Sequence, residues 1–481
     1  MSTAGTASGG AKAGGGAPSA DAPQTVSLYE RWKRIHPLWV SGGWQTWRRV
    51  VLVVLLLVFY ASPWLRWNGE PGVLFDLEHR RFTIFWTTFV PEEFVLLAWL
   101  LLIAALTLFT VTIAAGRVFC GWACPQTVWT LVYFSIERFI EGDRNARLRA
   151  EKNGWTRSRL ARKALKITIW AALALSISIT FVGYFVPIRE LLPRIATFDL
   201  GKWETIAILL PAAGSFVGSG VLREQVCFHM CPYARFQSVM FDRDSLIISY
   251  DVDRGEPRGK RRKDADPASL GLGSCVDCMK CVHVCPTGID IRNGLQYQCI
   301  GCAACIDACT DVMGRMGYGE SLVRYSSENR DQGVERHWLR PRLVGYATLI
   351  LVLVGLFGWV VTHRVPMGLT IVRDRNRLYR VDWDGNVENV YTLRISNRAD
   401  ESHQYAIEVD SPLDLVYDGP STVEVAGGAL AAVPVRLDLL GGEGVVTEGV
   451  DVVFRIRRLG DEGRPVVVED VSRFHVPKEA R

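Results

Sequence analysis

Hydrophobic positions along this chain follow two rhythms. Up to about residue 364 the apolar residues gather into continuous runs, with the charges collected between them. Beyond that point apolar and polar residues alternate. Runs at about 50–65 (VVLVVLLLVFYASPWL), 94–115 (FVLLAWLLLIAALTLFTVTIAA), 167–187, 205–221 and 343–361 predict helices that cross a bilayer. Such a helix needs about 20 mostly apolar residues. The fourth run is diluted by Pro211, Gly214, Gly218 and Gly220, which membrane helices tolerate. The alternating stretch (TLRISN, HQYAIEV, STVEVAG, AAVPVRLDL, VDVVFRIRRL, RPVVVEDVSRFHV) has turn residues between its segments. It predicts an antiparallel β-sandwich.

Basic residues orient the spans. Arg31, Lys33, Arg34, Arg48 and Arg49 precede the first, a run from Arg138 to Lys163 follows the second, and Arg258, Lys260, Arg261, Arg262 and Lys263 follow the fourth. The intervening loops at 66–93 and 188–204 are poorer in Lys and Arg and carry acids. Lys and Arg favour the cytoplasmic side, so the amino terminus is expected there and the sandwich outside. Five spans satisfy this. Four would put the two Cys-Pro motifs described below on opposite faces.

Composition narrows the class. With 481 residues, 49% hydrophobic and 22% charged but strongly segregated, the chain is neither a uniformly soluble enzyme nor fully disordered. Its net charge of +5 is too small to argue for nucleic acid. Residues 1–24 are Gly, Ala, Ser, Thr and Pro with few charges and predict a disordered tail. They lack the apolar core of a signal peptide, so the first span reads as an uncleaved anchor.

The twelve cysteines lie between Cys120 and Cys309, and eight of them between Cys275 and Cys309. In the expected topology all face a reducing compartment, which favours metal ligation over disulfides. Cys275-x2-Cys278-x2-Cys281-x3-Cys285-Pro286 and Cys299-x2-Cys302-x2-Cys305-x3-Cys309 form the bacterial ferredoxin run, used twice. In that run the fourth cysteine ligates the other cluster. The expected sets are therefore Cys275, Cys278, Cys281 and Cys309 for one [4Fe-4S] cluster, and Cys299, Cys302, Cys305 and Cys285 for the second. A zinc ribbon uses pairs rather than triplets with a distant fourth ligand. Gly288 and Gly301 suit close backbone approach, and Ile289, Ile291, Ile300 and Ile306 can exclude water. The second run lacks the proline, since Thr310 follows Cys309.

A second pair of motifs is Cys120-Gly-Trp-Ala-Cys124-Pro125 and Cys227-Phe-His-Met-Cys231-Pro232. Proline suits the first helical position, which places Cys124 and Cys231 at N-caps. There the helix dipole favours thiolate. Folding could gather Cys120, Cys124, Cys227 and Cys231 into a catalytic and metal-binding group at the membrane surface, with copper as candidate substrate. Soft sulfur selects Cu(I), zinc or an iron–sulfur cluster. His229 and Met230 could add copper-compatible ligands, although Met230 is expected to fill a packing gap. His283 is expected to neighbour a cluster without ligating it. Lys260–Lys263 reads as a solvated or membrane-facing basic patch, and Trp64, Trp67, Trp122 and Trp129 as interfacial belt residues.

The stretches PWLRWNGEPGVLFDLEHRRFTIF, GRVFCGWACPQTVW, IERFIEGDRNARL, LREQVCFHMCPYARFQSVMFDRDSLIISYDVDRGEPRG and CPTGIDIRNGLQYQCIGCAACIDAC carry a likeness. The chain resembles the FixG/CcoG/RdxA family of cytochrome c oxidase accessory proteins, which are membrane polyferredoxins. The resemblance implies an immunoglobulin-like carboxyl-terminal domain and an inner-membrane location. It also implies assistance to assembly of cbb3-type cytochrome c oxidase through reduction of Cu(II) to Cu(I), alongside a copper-exporting P-type ATPase. It leaves the electron donor unnamed.

The expected fold is thus a multidomain membrane protein. A transmembrane bundle of about five spans holds an inserted bacterial-type 2[4Fe-4S] ferredoxin domain and ends in an all-β immunoglobulin-like sandwich. The division is a disordered tail at 1–28, a membrane domain with four spans at 29–245, a cytoplasmic ferredoxin domain at 246–335, a fifth span at 336–364 and a periplasmic domain at 365–481. Two other functions fit the same residues: a quinol-oxidising polyferredoxin, and a scaffold whose clusters are only structural.

Overall fold

The computed structural model describes residues 35–476 apart from 68–69, 78–80, 85–86, 90–93, 264, 336, 338, 364, 375–376, 382–385, 400, 441–448 and 461–465. The tail expected at 1–28 lies outside these. Among the described residues, five helices are long and apolar enough to cross a membrane: Gly43–Trp64, Val95–Ala115, Arg157–Val182, Lys202–Leu222 and Pro341–Thr362. The first and third start well before the apolar runs at 50 and 167. Their polar leading turns are held by caps: the Asp307 carboxylate accepts from the first amides of the first helix, and the Thr156 hydroxyl accepts from the Arg159 N–H at the start of the third.

In chain order the helices are α1 (Gly43–Ala61), α2 (Phe94–Ala115), α3 (Val118–Trp122), α4 (Pro125–Glu141), α5 (Arg144–Lys152), α6 (Arg157–Val182), α7 (Ile188–Ala196) and α8 (Lys202–Ser215). They continue with α9 (Pro232–Met240), α10 (Val252–Gly255), α11 (Lys280–His283), α12 (Ala304–Met316), α13 (Glu328–Asp331) and α14 (Pro341–Thr362). Helix α8 runs on into a π-helical stretch over Phe216–Leu222, where Gly218 and Gly220 lie. A Cβ at Gly220 would stand 3.2 Å from Trp170 and 3.3 Å from Tyr133, so glycine lets the widened turn pack on α4 and α6.

Between α1 and α2 lie β1 (Arg66–Trp67), β2 (Glu70–Pro71), β3 (Val73–Asp76), β4 (Arg81–Ile84) and β5 (Thr87–Phe89). The last three form a small antiparallel sheet that sequence reading leaves as a loop. Its alternation is too short to register, and Phe75 anchors it by packing on Phe82 and Phe185. The ferredoxin unit is closed by β6 (Ile247–Tyr250) paired antiparallel with β7 (Val323–Ser326). Ile248, Tyr250, Ile291, Ile306, Met313 and Leu322 are buried beneath this ribbon.

The carboxyl-terminal domain comprises β8 (Met367–Arg373), β9 (Arg380–Val381), β10 (Val387–Asn397), β11 (His403–Asp410), β12 (Leu415–Asp418), β13 (Thr422–Val425), β14 (Leu430–Leu439), β15 (Val450–Arg458) and β16 (Val467–Phe474). One sheet has the order β12-β14-β10-β8, with β9 on β10, and the other β13-β11-β15-β16. All pairs are antiparallel. Each alternating segment in the sequence becomes a strand because its apolar positions, such as Tyr391, Leu393 and Ile395 on β10, bury on one face. Tyr391 and Phe454 meet edge to face across the sandwich, 5.3 Å apart. Phe454→Ala is expected to lower this domain's stability by about 3–5 kcal/mol. The measurement is its denaturation midpoint, with the iron content of the protein unchanged.

Candidate functional site

The two cysteine-proline motifs fold alike. Cys124 is the N-cap of α4 and Cys231 the N-cap of α9, each with extended backbone and proline at the first helical position. This agrees with the sequence reading, because a residue before proline avoids the helical region. The loop of the first motif closes when the Thr127 hydroxyl donates to the Cys120 carbonyl at 2.6 Å. The second motif follows Arg223, a non-glycine residue with φ 51°, and a π-helical turn over Val226–Met230.

One buried carboxylate offsets the strain at Arg223. Glu137 on α4 accepts from Arg223 at 2.6 Å, from Arg147 of α5 at 3.0 Å and from Lys166 of α6 at 3.2 Å. Lys166 also pairs with Glu141 at 2.6 Å. The Gln126 side-chain amide, one turn into α4, donates to the Gly218 and Arg223 carbonyls at 2.9 and 3.2 Å. The helix leaving the first motif is thereby tied to the chain entering the second.

The four motif thiols lie close enough to act on one another electrostatically. Burial first, and then the charges of Cys124 and Cys231, push the Cys120 thiol up to about 11. Burial and the charges of Cys124, Cys120 and Cys231 push Cys227 up to about 12. The Cys120 thiol donates to Gln237 Oε1 at 3.1 Å, and Gln237 is fully buried on α9. Among the described residues no three His, Cys, Asp or Glu side chains stand ready around one ion. Met230 is 66% exposed and fills no gap, since the π-helical turn points it away from the protein. All twelve cysteines are free thiols.

The ferredoxin cysteines surround two cavities. Cys275, Cys278, Cys281 and Cys309 line one, with Tyr250 and Arg292. Cys285, Cys299, Cys302 and Cys305 line the other, with Ile248, Ile289, Ile291 and Ile300. Cys281 faces both. Cys309 thus lies beside the first run and Cys285 beside the second. Burial pushes Cys281 and Cys299 up to about 12 and Cys305 well above its ordinary range. Clustered, mostly buried sulfurs in each cavity fit an iron–sulfur cubane, whose iron would supply the positive charge that they lack.

The second cavity's loop lies directly on the first membrane motif. A Cβ at Gly121 would come within 2.6 Å of the Ile300 carbonyl and 2.9 Å of the Cys302 amide, so only glycine admits the contact. A Cβ at Gly301, at φ +68°, would stand 3.2 Å from the backbone of Arg117. Trp122 Nε1 donates to the Gly301 carbonyl at 3.2 Å, which removes this residue from the membrane belt expected for it. Gln45 Nε2 donates to the Cys302 carbonyl at 2.8 Å. The Asp307 carboxylate, on α12 between two cluster cysteines, accepts from the Trp44 and Gln45 amides at 3.3 and 2.8 Å. It thus satisfies the free N–H groups that open α1.

Sequence reasoning missed Arg117, Arg292 and Gln237. Buried Arg117 donates to the Tyr297 and Ala234 carbonyls, which bridges the ferredoxin loop and α9. Arg292 donates to Asp277 at 2.7 Å at the rim of the first cavity. No spacing rule flags a lone arginine. Arg261 also leaves the basic patch expected at 260–263, because it donates to Tyr318 Oη at 2.9 Å and the Cys275 carbonyl at 3.3 Å.

Known proteins resemble this chain in sequence. A profile described as a 4Fe-4S dicluster domain matches residues 222–328, and one described as a 4Fe-4S binding domain matches residues 97–138. The profile of the IG-like fold at the C-terminal of FixG matches residues 357–477. Protein RdxA of Cereibacter sphaeroides is 37% identical over 468 residues, covering 93% of this chain and 98% of RdxA. The chain belongs to the FixG/RdxA family. Nitrogen fixation protein FixG of Rhizobium meliloti is 36% identical, covering 84% of this chain and 83% of FixG. Ferredoxin-type protein NapH of Haemophilus influenzae is 23% identical over 57% of this chain and 89% of NapH. The crystal structure of a FixG-related protein from Vibrio parahaemolyticus covers 23% of this chain and 97% of its own, with 28% identity and a TM-score of 0.21. As a member of this FixG/RdxA family, the chain is a 4Fe-4S electron-transfer protein with several apolar helices of membrane-spanning length.

Two substitutions test the frame. Glu137→Ala leaves three buried cations without their carboxylate and should cost about 3–5 kcal/mol, read as a lower thermal midpoint in detergent. Gly121→Ala forces backbone against backbone and should cost about 1–3 kcal/mol, read as faster loss of iron to a chelator than in wild type.

Proposed function

We propose that this protein is a membrane-bound cupric reductase, an oxidoreductase acting on metal ions, that assists assembly of a cbb3-type cytochrome c oxidase. The carrying observation is that the four soft thiols of the two Cys-Pro motifs lie near enough to act on one another electrostatically, beside the backbone contact of the second ferredoxin loop on Gly121. The homology of FixG and RdxA supports the electron-transfer part of this reading.

Cys275, Cys278, Cys281 and Cys309 hold one [4Fe-4S] cluster, and Cys299, Cys302, Cys305 and Cys285 hold the other. When bound, the clusters supply one-electron carriers. Cys120, Cys124, Cys227 and Cys231 take up copper. Thiolate prefers Cu(I) to Cu(II), so the site raises the copper potential, and each 59 mV is worth tenfold for one electron. Gln237 orients the Cys120 sulfur, and a metal ion displaces the proton that burial retains on Cys120 and Cys227. One electron enters and Cu(II) leaves as Cu(I).

In this reading residues 29–245 and 336–364 sit in the bacterial inner membrane, 246–335 in the cytoplasm and 365–481 in the periplasm. Cu(I) passes to a copper-exporting P-type ATPase, and the sandwich meets the oxidase or its assembly factors. Replacing Cys120, Cys124, Cys227 and Cys231 together by Ser should abolish Cu(I) formation, followed with a Cu(I) chelator after dithionite reduction, while iron and sulfide counts stay at wild-type values. Unchanged Cu(I) formation in that variant would sink the proposal.

A further inference from the structure

Arg117 carries a positive charge that the protein does not cancel. The residue is only 7% exposed. Its guanidinium donates to the Tyr297 carbonyl, to the Cys299 carbonyl at 3.5 Å and to the Ala234 carbonyl of α9 at 2.8 Å. The Tyr297 and Phe241 rings lie 5.0 and 5.9 Å from it. Its Nε has no hydrogen-bond partner among the described residues, and no carboxylate among them pairs with it. Carbonyls and ring faces attract a cation without neutralising it. A buried charge is ordinarily paired or tied to a metal site.

The surroundings point to the counter-charge. Arg117 and Tyr297 line a cavity together with Ile248, Cys299 and Gly301. The last three line the second cluster site as well. Arg117 is also the N-cap of α3, the short helix that carries Cys120. Burial pushes up both the Cys120 and the Cys299 thiol, and the Arg117 charge acts against burial at each. One guanidinium is thus within electrostatic reach of the first Cys-Pro motif and of the second cluster site. The first cluster site is built differently. Its arginine, Arg292, is held by Asp277 at 2.7 Å and by Asp290 at 2.6 Å, so its charge is offset by carboxylates. Cys278 of that site is exposed, whereas Cys302 of the second is buried.

A cubane held by thiolates is an anion, and an added electron makes it more so. In a site of low dielectric, an uncancelled cation favours the reduced form and raises the potential. We propose that Arg117 is a positioning residue for electron transfer, a fixed charge that acts through the cluster held by Cys285, Cys299, Cys302 and Cys305. It raises that cluster's potential above that of the first, so the electron comes to rest on the Cys120 side. The step balances within the chain. The first cluster loses one electron, the second gains it, no bond breaks and no proton moves. The inference rests on the reading of the eight ferredoxin cysteines as holders of two clusters, and it needs no copper.

The test is an anaerobic redox titration of the full-length protein in detergent, followed by EPR and absorbance with no copper added. Iron and sulfide counts come first and decide the cluster reading by themselves. A wild type without cluster iron would overturn that reading and the proposal with it. Wild type should show two one-electron components. Arg117→Gln should lower the upper one, its reduction constant falling roughly tenfold or more, about 59 mV, and leave the lower one in place. Arg117→Lys keeps the charge and should restore most of the upper potential, which a merely structural role would not do. Arg262→Gln removes the same charge from an exposed position and should move neither component. Should Arg117→Gln lose iron, Phe241→Glu sets a carboxylate beside the guanidinium, leaves its hydrogen bonds in place and should lower the same component. Three results would overturn the proposal: an upper component unmoved in an iron-replete Arg117→Gln or Phe241→Glu variant, one lowered as far by Arg117→Lys as by Arg117→Gln, or both components lowered alike by Arg117→Gln.

Discussion

The architecture depends on a single carboxylate. Glu137 is buried to 1% and holds Arg147, Lys166 and Arg223 at once. Those cations come from α5, α6 and the turn that launches the second cysteine-proline motif. Removing charges from water is expensive, and such a network rarely adds stability compared with apolar packing. Its value here is placement. Arg223 can keep its left-handed backbone only while its guanidinium is held, and the π-helical turn that carries Cys227 starts three residues later. The distance between the two thiol pairs thus follows from electrostatics in a dry place, not from the thiols.

A second constraint joins the membrane part to the ferredoxin unit. The contact is made by backbone, through Gly121 against Ile300 and Cys302, and through amide and indole donors on the carbonyls of the same loop. Backbone contacts leave little freedom to slide. The loop that faces the second cluster cavity is therefore fixed relative to Cys120, and its carbonyls are already spoken for. Donors near cluster sulfurs and the burial of their loops tune cluster potential, so this docking is also an electronic setting.

What the sequence made legible was what is local or periodic. Cysteine spacing fixes ligand sets within a loop, proline fixes the caps at Cys124 and Cys231, and alternation over Thr392–Asn397 or Val450–Arg458 reports a half-buried strand. The placing of Cys309 beside the first run and Cys285 beside the second was legible because the run is a known structural unit. Arg117, Arg292 and Gln237 were not, because their partners lie far along the chain and polar residues carry no period. Trp122 misled for a related reason. A tryptophan beside a span suits the lipid boundary as well as it suits a carbonyl of another domain. The start of α1 was missed because the carboxylate that caps it, Asp307, lies far along the chain, and that of α6 because Thr156 caps a polar first turn that carries no apolar period.

The last span packs against α2, with Trp99 meeting Phe357, yet its apolar window contains no buried residue. Lipid rather than protein is its main solvent. The β-sandwich is therefore carried on a stalk that can tilt and shift along its axis as the hydrocarbon thickens or thins. Bilayer composition becomes a mechanical variable that sets the standing height and lean of the terminal domain, while the thiols and cluster loops stay clamped.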